Sequence, residues 1–288
     1  MKAFLRTKVR PVAITVTAPA VGFLLLFVLG MFLETEFSKL FRSIVNLVVV
    51  ALMAFVVFPR YLGIPFGRVE TKVFLRQVGF TLPENAWKHL GLGLVLAGCT
   101  LSGMLVASLL TGKYAVDRST VDLPHLVFSL NPALWEELFY RGVLMIVLLE
   151  ATHSLKKASV VQVILFGLMH IKGTDVRAVV EMFSVAVLAL GFTYVAYKTR
   201  SLVAGIVFHY LHDALLFFVQ LPDGVDTGVT GSLLFYGLLW LAVGAGCLIT
   251  KLAADRLGVQ AAAELYRVER IDAGRETLQA TGKSQIGP

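Results

Sequence analysis

Charge is scarce in this chain. Asp, Glu, Lys and Arg make up 16% of its 288 residues, against about 25% in a soluble protein. Hydrophobic residues reach 57% and mean hydropathy is +0.78. Too little polar material is present to cover a water-exposed surface, which excludes a soluble enzyme and a disordered protein. Cysteine is nearly absent as well. Cys99 and Cys247 each lie in an apolar stretch, which excludes a secreted disulfide scaffold and reads as small lipid- or core-facing residues. No stretch interleaves basic and aromatic residues, so the net charge of +7 does not point to nucleic acid. No nucleophile elbow, glycine-rich phosphate loop, HExxH zinc helix or internal repeat is found.

What the chain does have is long apolar runs. A helix needs about 20 apolar residues to cross the hydrocarbon of a bilayer. Eight segments qualify as candidates: 12–33, 43–62, 89–111, 126–149, 158–171, 178–197, 201–220 and 232–252. The fold class expected is an all-α polytopic membrane protein, with about eight transmembrane helices around a polar intramembrane cavity. With the N-terminus inside, the inner segments carry most of the 26 Lys and Arg. The bias of basic residues toward inner loops then places both termini in the cytoplasm. The first run follows a basic stretch but lacks a clear cleavage site, and is read as a retained helix. Residues 1–253 form the transmembrane domain. Residues 254–288 form a cytoplasmic polar tail, helical over Ala254–Ile271 at most and disordered beyond Gly274. The basic stretch Val69–Phe80 is either an amphipathic helix on the inner surface or a plain loop.

A charge near the bilayer centre costs about 2.5–3.5 kcal/mol on insertion scales, so such residues usually line a polar cavity. This chain gathers them in three places. The first is Trp135-Glu136-Glu137-Leu138-Phe139-Tyr140-Arg141. Glu137 and Arg141, four apart, share a helix face and can pair. Glu136 points about 100° away and is left for chemistry. The second is Phe166-Gly167-Leu168-Met169-His170, and the third His209-Tyr210-Leu211-His212-Asp213. His209 and Asp213 lie on one face, with His212 on a nearby one. A lone histidine on an apolar helix is ordinarily a packing residue, but three clusters in one chain point to a shared polar site. Carboxylate and imidazole groups inside a membrane suit amide hydrolysis: one group takes a proton from water, others donate to the developing oxyanion.

Glu136-Glu137-x3-Arg141, Phe166-x3-His170 and His209-x3-Asp213 resemble, in order and spacing, the three motifs of the CAAX-protease and bacteriocin-processing (Abi) membrane peptidases. These include the Ras-converting CAAX endopeptidases. The motif-bearing core is residues 70–220. The resemblance implies an intramembrane endopeptidase in which Glu136 is the general base and His170 helps to position the water. His209 and Asp213 would stabilise the oxyanion, and Glu137 with Arg141 would hold the base helix. His212 and Phe166 are supporting neighbours. CAAX endopeptidases typically carry Asn where this chain has Asp213, and bacterial relatives carry either. To donate a hydrogen bond Asp213 must hold a proton; otherwise it orients His209.

No cofactor is expected; a zinc ion held by Glu136, His170, His209 and Asp213 is the alternative form of the same protease. Competing readings are a non-enzymatic immunity or scaffold protein and a proton-coupled transporter. Expected partners are membrane lipids and a peptide or prenylated-protein substrate, with no nucleic acid. The expected location is a prokaryotic plasma membrane. Oligomeric state is not readable from the sequence.

Overall fold

The structure is a computed structural model, and it describes residues 36–61, 68–111, 115–116, 123–171, 173–216, 219–220, 228–260 and 265–266. The expected span 12–33 and the stretch beyond Gly274 lie outside these residues. Nearly everything described is helical. Helix α1 (Glu36–Leu52) passes through a π-helical turn (Met53–Val57) into α2 (Phe58–Tyr61). Then come α3 (Arg68–Gln77), α4 (Ala86–Thr111) and α5 (Leu123–Glu136). Helix α5 continues without a break through a π-helical segment, Glu137–Leu144, into α6 (Met145–Thr152). The rest are α7 (Leu155–Leu168), α8 (Val176–Thr199), α9 (Val203–Leu216) and α10 (Gly228–Arg256). Two two-residue strands, β1 (Ala115–Val116) and β2 (Val219–Gln220), pair antiparallel with Ala115 opposite Gln220 and Val116 opposite Val219.

Each described run that was expected to span is helical over most of its length, but the lengths differ, and the 201–220 run is a helix only over Val203–Leu216, its last two residues pairing in β2 instead. Among the described residues three helices are long and apolar enough to cross a membrane: Ala86–Leu110, Ala178–Thr199 and Leu233–Arg256. Helices α7 and α9 have 14 residues each, about 21 Å at 1.5 Å per residue, less than the roughly 30 Å of a bilayer core. The boundaries have local causes. Helix α7 starts at 155 rather than 158 because the Ser154 hydroxyl accepts from the Lys157 amide at 3.4 Å. It ends at Leu168, and His170 sits in the turn that follows, its amide donating to the Gly167 carbonyl at 3.0 Å. Helix α8 starts at an Asp175 cap, whose carboxylate accepts from the Ala178 amide at 2.8 Å. It ends at Arg200 in the left-handed conformation, with φ 54°. Val69–Phe80 is helical over Arg68–Gln77, with Phe74 and Val78 buried and Lys72 and Arg76 exposed.

Helix α4 packs on α9 and α10, α8 on α7 and α10, and α5 on α1 and α9. Close approach needs small residues, as helix packing in membranes generally does. At Gly93 a Cβ would meet the Val207 side chain at 2.7 Å and the Ala204 carbonyl at 2.9 Å. Outward-facing positions are apolar: Leu94, Leu109, Phe183, Leu190, Leu241 and Leu248 are all exposed, the arrangement a lipid-facing surface requires. The core nearest the three polar motifs is aromatic, with Trp135 and Phe139 stacked at 5.5 Å and Phe58 against both.

The tail departs from expectation. Helix α10 stops at Arg256 instead of running on to 271, because Gly258 takes φ +59°, the left-handed conformation that ends helices. Lys88 then donates to the Leu257 carbonyl at 2.6 Å and Asn85 to the Gly258 carbonyl at 2.7 Å. Val259 and Leu265 are buried. The described part of the tail is therefore packed on the helical domain.

Candidate active site

The three motifs converge. Glu137 comes from the start of the π-helical segment, and its carboxylate is fully buried. Its Oε1 lies 3.1 Å from Arg141 Nη1 and accepts from His209 Nδ1 at 2.9 Å. The bond to His209 crosses from α9. Arg141 is equally buried; Nη2 donates to the Ala189 carbonyl at 3.3 Å. The guanidinium lies over Phe166 at 4.4 Å and Phe192 at 5.1 Å, so two aromatic faces sandwich the charge. The pair is not fully satisfied. Among the described residues, Glu137 Oε2 and Arg141 Nε and Nη1 have no aligned hydrogen-bond partner. Gly205 makes room for Oε2, since a Cβ there would sit 3.2 Å from it.

Glu136 faces the other way. Its side chain is 14% exposed, with Oε1 3.9 Å from His170 Nε2 and Oε2 3.7 Å from His209 Nε2. Asp213 Oδ2 lies 3.6 Å from the same His209 nitrogen. These separations exceed direct hydrogen-bond length. The 3.9 Å between Glu136 Oε1 and His170 Nε2 is a separation that one water could bridge at about 2.8 Å from each. His170 Nδ1 lies 2.7 Å from the Phe166 carbonyl. A carbonyl only accepts, so Nδ1 carries a hydrogen, and in the neutral ring Nε2 then presents its lone pair toward Glu136. The Phe166 ring is 4.6 Å from the His170 ring, and the Phe192 ring stacks on His209 at 4.7 Å.

Glu136, His170, His209 and Asp213 thus form one cluster, with Glu137, Arg141 and Phe166 behind it. His212 stands apart. Its ring meets Phe208 edge-on at 6.2 Å, and its Nδ1 is buried with no hydrogen-bond partner among the described residues. Among the described residues no group of three or more His, Cys, Asp or Glu is arranged to hold a metal ion.

One residue that touches the site was missed by the sequence reading, and so was one buried amide that no hydrogen bond among the described residues ties to it. Tyr266, from the tail, donates to the Arg141 carbonyl at 2.7 Å. Burial pushes its phenol well above the usual tyrosine range, which keeps it a donor. An apolar pair between two charged residues (Glu264-Leu265-Tyr266-Arg267) was its only signal. Asn131 is buried with neither side-chain polar atom partnered among the described residues. A polar residue five positions before Glu136 in an apolar run was the signal there.

Residues 121–215 match the model of the family described as type II CAAX prenyl endopeptidase, Rce1-like. The matched stretch contains all three motifs and is narrower than the 70–220 core expected from the resemblance. No curated protein and no solved structure matches the chain.

Proposed function

We propose that this protein is an intramembrane endopeptidase, and that Glu136 activates the water that attacks the peptide bond. The observation that carries this is the pair of separations on Glu136, 3.9 Å to His170 and 3.7 Å to His209. A water between Glu136 and His170 donates one hydrogen to each and turns its lone pair outward to a substrate carbonyl. As the carbonyl carbon is attacked, Glu136 takes the proton. The oxygen of the tetrahedral intermediate then needs donors, and His209 Nε2 with Asp213 stands on the opposite side of Glu136. His209 Nδ1 already faces Glu137, so donation from Nε2 requires the doubly protonated ring. Collapse of the intermediate passes the proton from Glu136 to the leaving amine.

The substrate class follows the Rce1-like match: a membrane-associated peptide or a prenylated protein C-terminus. On this reading the chain crosses a prokaryotic plasma membrane about eight times with both ends in the cytoplasm. The mechanism is glutamate-dependent, of the Abi type, and needs no metal.

The test is cleavage of a farnesylated CAAX-type peptide by the purified protein in lipid nanodiscs. Glu136→Gln and His170→Ala are expected to lower turnover by about 10²–10⁴, the range for a general base, with thermal stability unchanged. Cleavage that continues in both variants rejects the reading. Loss of cleavage in EDTA or 1,10-phenanthroline, restored by zinc, favours the metal form instead.

A further inference from the structure

We infer that the C-terminal tail is part of the catalytic apparatus, with Tyr266 a positioning residue that acts through Arg141; this rests on the function proposed above. A polar tail has no reason of its own to enter an apolar bundle. Here Leu265 is buried against Gly79, where a Cβ would lie 2.9 Å from its methyl, and Tyr266 packs into the core that holds Phe139, Tyr140 and Phe166. Tyr266 is held with φ +64°, a strained conformation for a non-glycine residue that persists only when its contacts enforce it. The contact that singles it out is the hydroxyl bond to the Arg141 carbonyl.

That carbonyl lies inside the π-helical segment Glu137–Leu144. A π turn is rare and is held in place by its surroundings. The side chain of the same residue sits 3.1 Å from Glu137, which accepts from His209, whose other nitrogen faces Glu136 and Asp213. Tyr266 therefore fixes the backbone from which the whole relay is hung. The upstream part of the tail is fixed separately, by Lys88 and Asn85 on the carbonyls of Leu257 and Gly258. The tail is thus tethered on both sides of residues 261–264.

The test is Tyr266→Phe, which removes only the hydroxyl, beside Tyr266→Ala, in the full-length protein in nanodiscs. With the farnesylated peptide as probe, Tyr266→Phe is expected to lower kcat about fivefold, the weight of one net hydrogen bond, with KM unchanged. Amide hydrogen exchange over 137–144 is expected to quicken in the same variant while exchange over α10 stays as in wild type. A residue that only supports the fold would lower the melting temperature without this split between kcat and KM. Unchanged kcat in Tyr266→Phe overturns the proposal, whatever happens to exchange. If wild type fails to cleave the peptide, the functional reading fails. Exchange over 137–144 then decides whether Tyr266 holds the segment: quickening supports it, and no change overturns it.

Discussion

Arg141→Met tests whether the buried Glu137–Arg141 pair holds the site or merely the fold. The substitution removes a guanidinium 3.1 Å from a carboxylate, both fully buried. Glu137 keeps His209 as a partner but loses its permanent counter-charge. Breaking a buried pair on one side costs about 3–5 kcal/mol, because the remaining charge is left uncompensated. The lost contacts with Phe166 and Phe192 add to this, and the methionine side chain offsets part of it. Taking about 4 kcal/mol and an unfolding entropy of about 2.1 cal/mol/K per residue, the melting temperature falls by about 7 °C. Arg141→Met with Glu137→Gln removes both charges and keeps an acceptor for His209 Nδ1. Since Glu137 Oε2 and two Arg141 nitrogens lack aligned partners, the double variant is expected to regain most of the lost stability. Turnover is not expected to return, because His209 Nδ1 no longer faces a carboxylate. Thermal unfolding in detergent can be followed with a thiol-reactive dye on Cys99 and Cys247, both partly buried in helices. A single variant as stable as wild type, or a double variant as damaged as the single, would refute the reasoning.

Two further substitutions probe the cluster from other sides. Asp213→Asn keeps a donor that needs no proton, so turnover should stay within about threefold of wild type and its loss at rising pH should weaken; Asp213→Ala should cost about 10²–10³, as loss of an oxyanion donor does. Equal damage from both would show that Asp213 acts by its charge on His209. Gly205→Ala places a methyl 3.2 Å from Glu137 Oε2; helix propensity gains up to about 1 kcal/mol, so the melting temperature should hold within a few degrees while kcat falls about tenfold. Normal turnover in that variant would mean that the Glu137–His209 bond tolerates displacement.

The motif spacing carried much of this site. A spacing of four positions from Glu137 to Arg141, and from His209 to Asp213, places these partners within reach on one helix face, and the helical runs of the described residues follow from hydropathy. Other features were hidden for physical reasons. The π-helical segment 137–144 leaves no mark in composition, because it depends on what packs around it rather than on propensity. His170 was expected on a helix; α7 ends at Leu168, and i,i+3 backbone bonds from His170 to Gly167 and from Ile171 to Leu168 put the histidine in a turn. The insertion of Leu265 and Tyr266 was invisible because two apolar side chains among charged neighbours do not shift a window average. Asn131 and His212, both buried, show that ionisable and amide groups in an apolar run need not share one destination.

His209 stands as a wall between two chemically identical neighbours. On one side of its ring Glu137 is sealed at zero exposure; on the other Glu136 remains 14% open. Adjacent glutamates therefore differ in who can visit them. A small carbodiimide arriving from solvent meets Glu136 and is stopped by the imidazole before Glu137. The two carboxylates, one peptide bond apart, would age differently under the same reagent, and a covalent inhibitor built for the outer one would have nothing to fear from the inner.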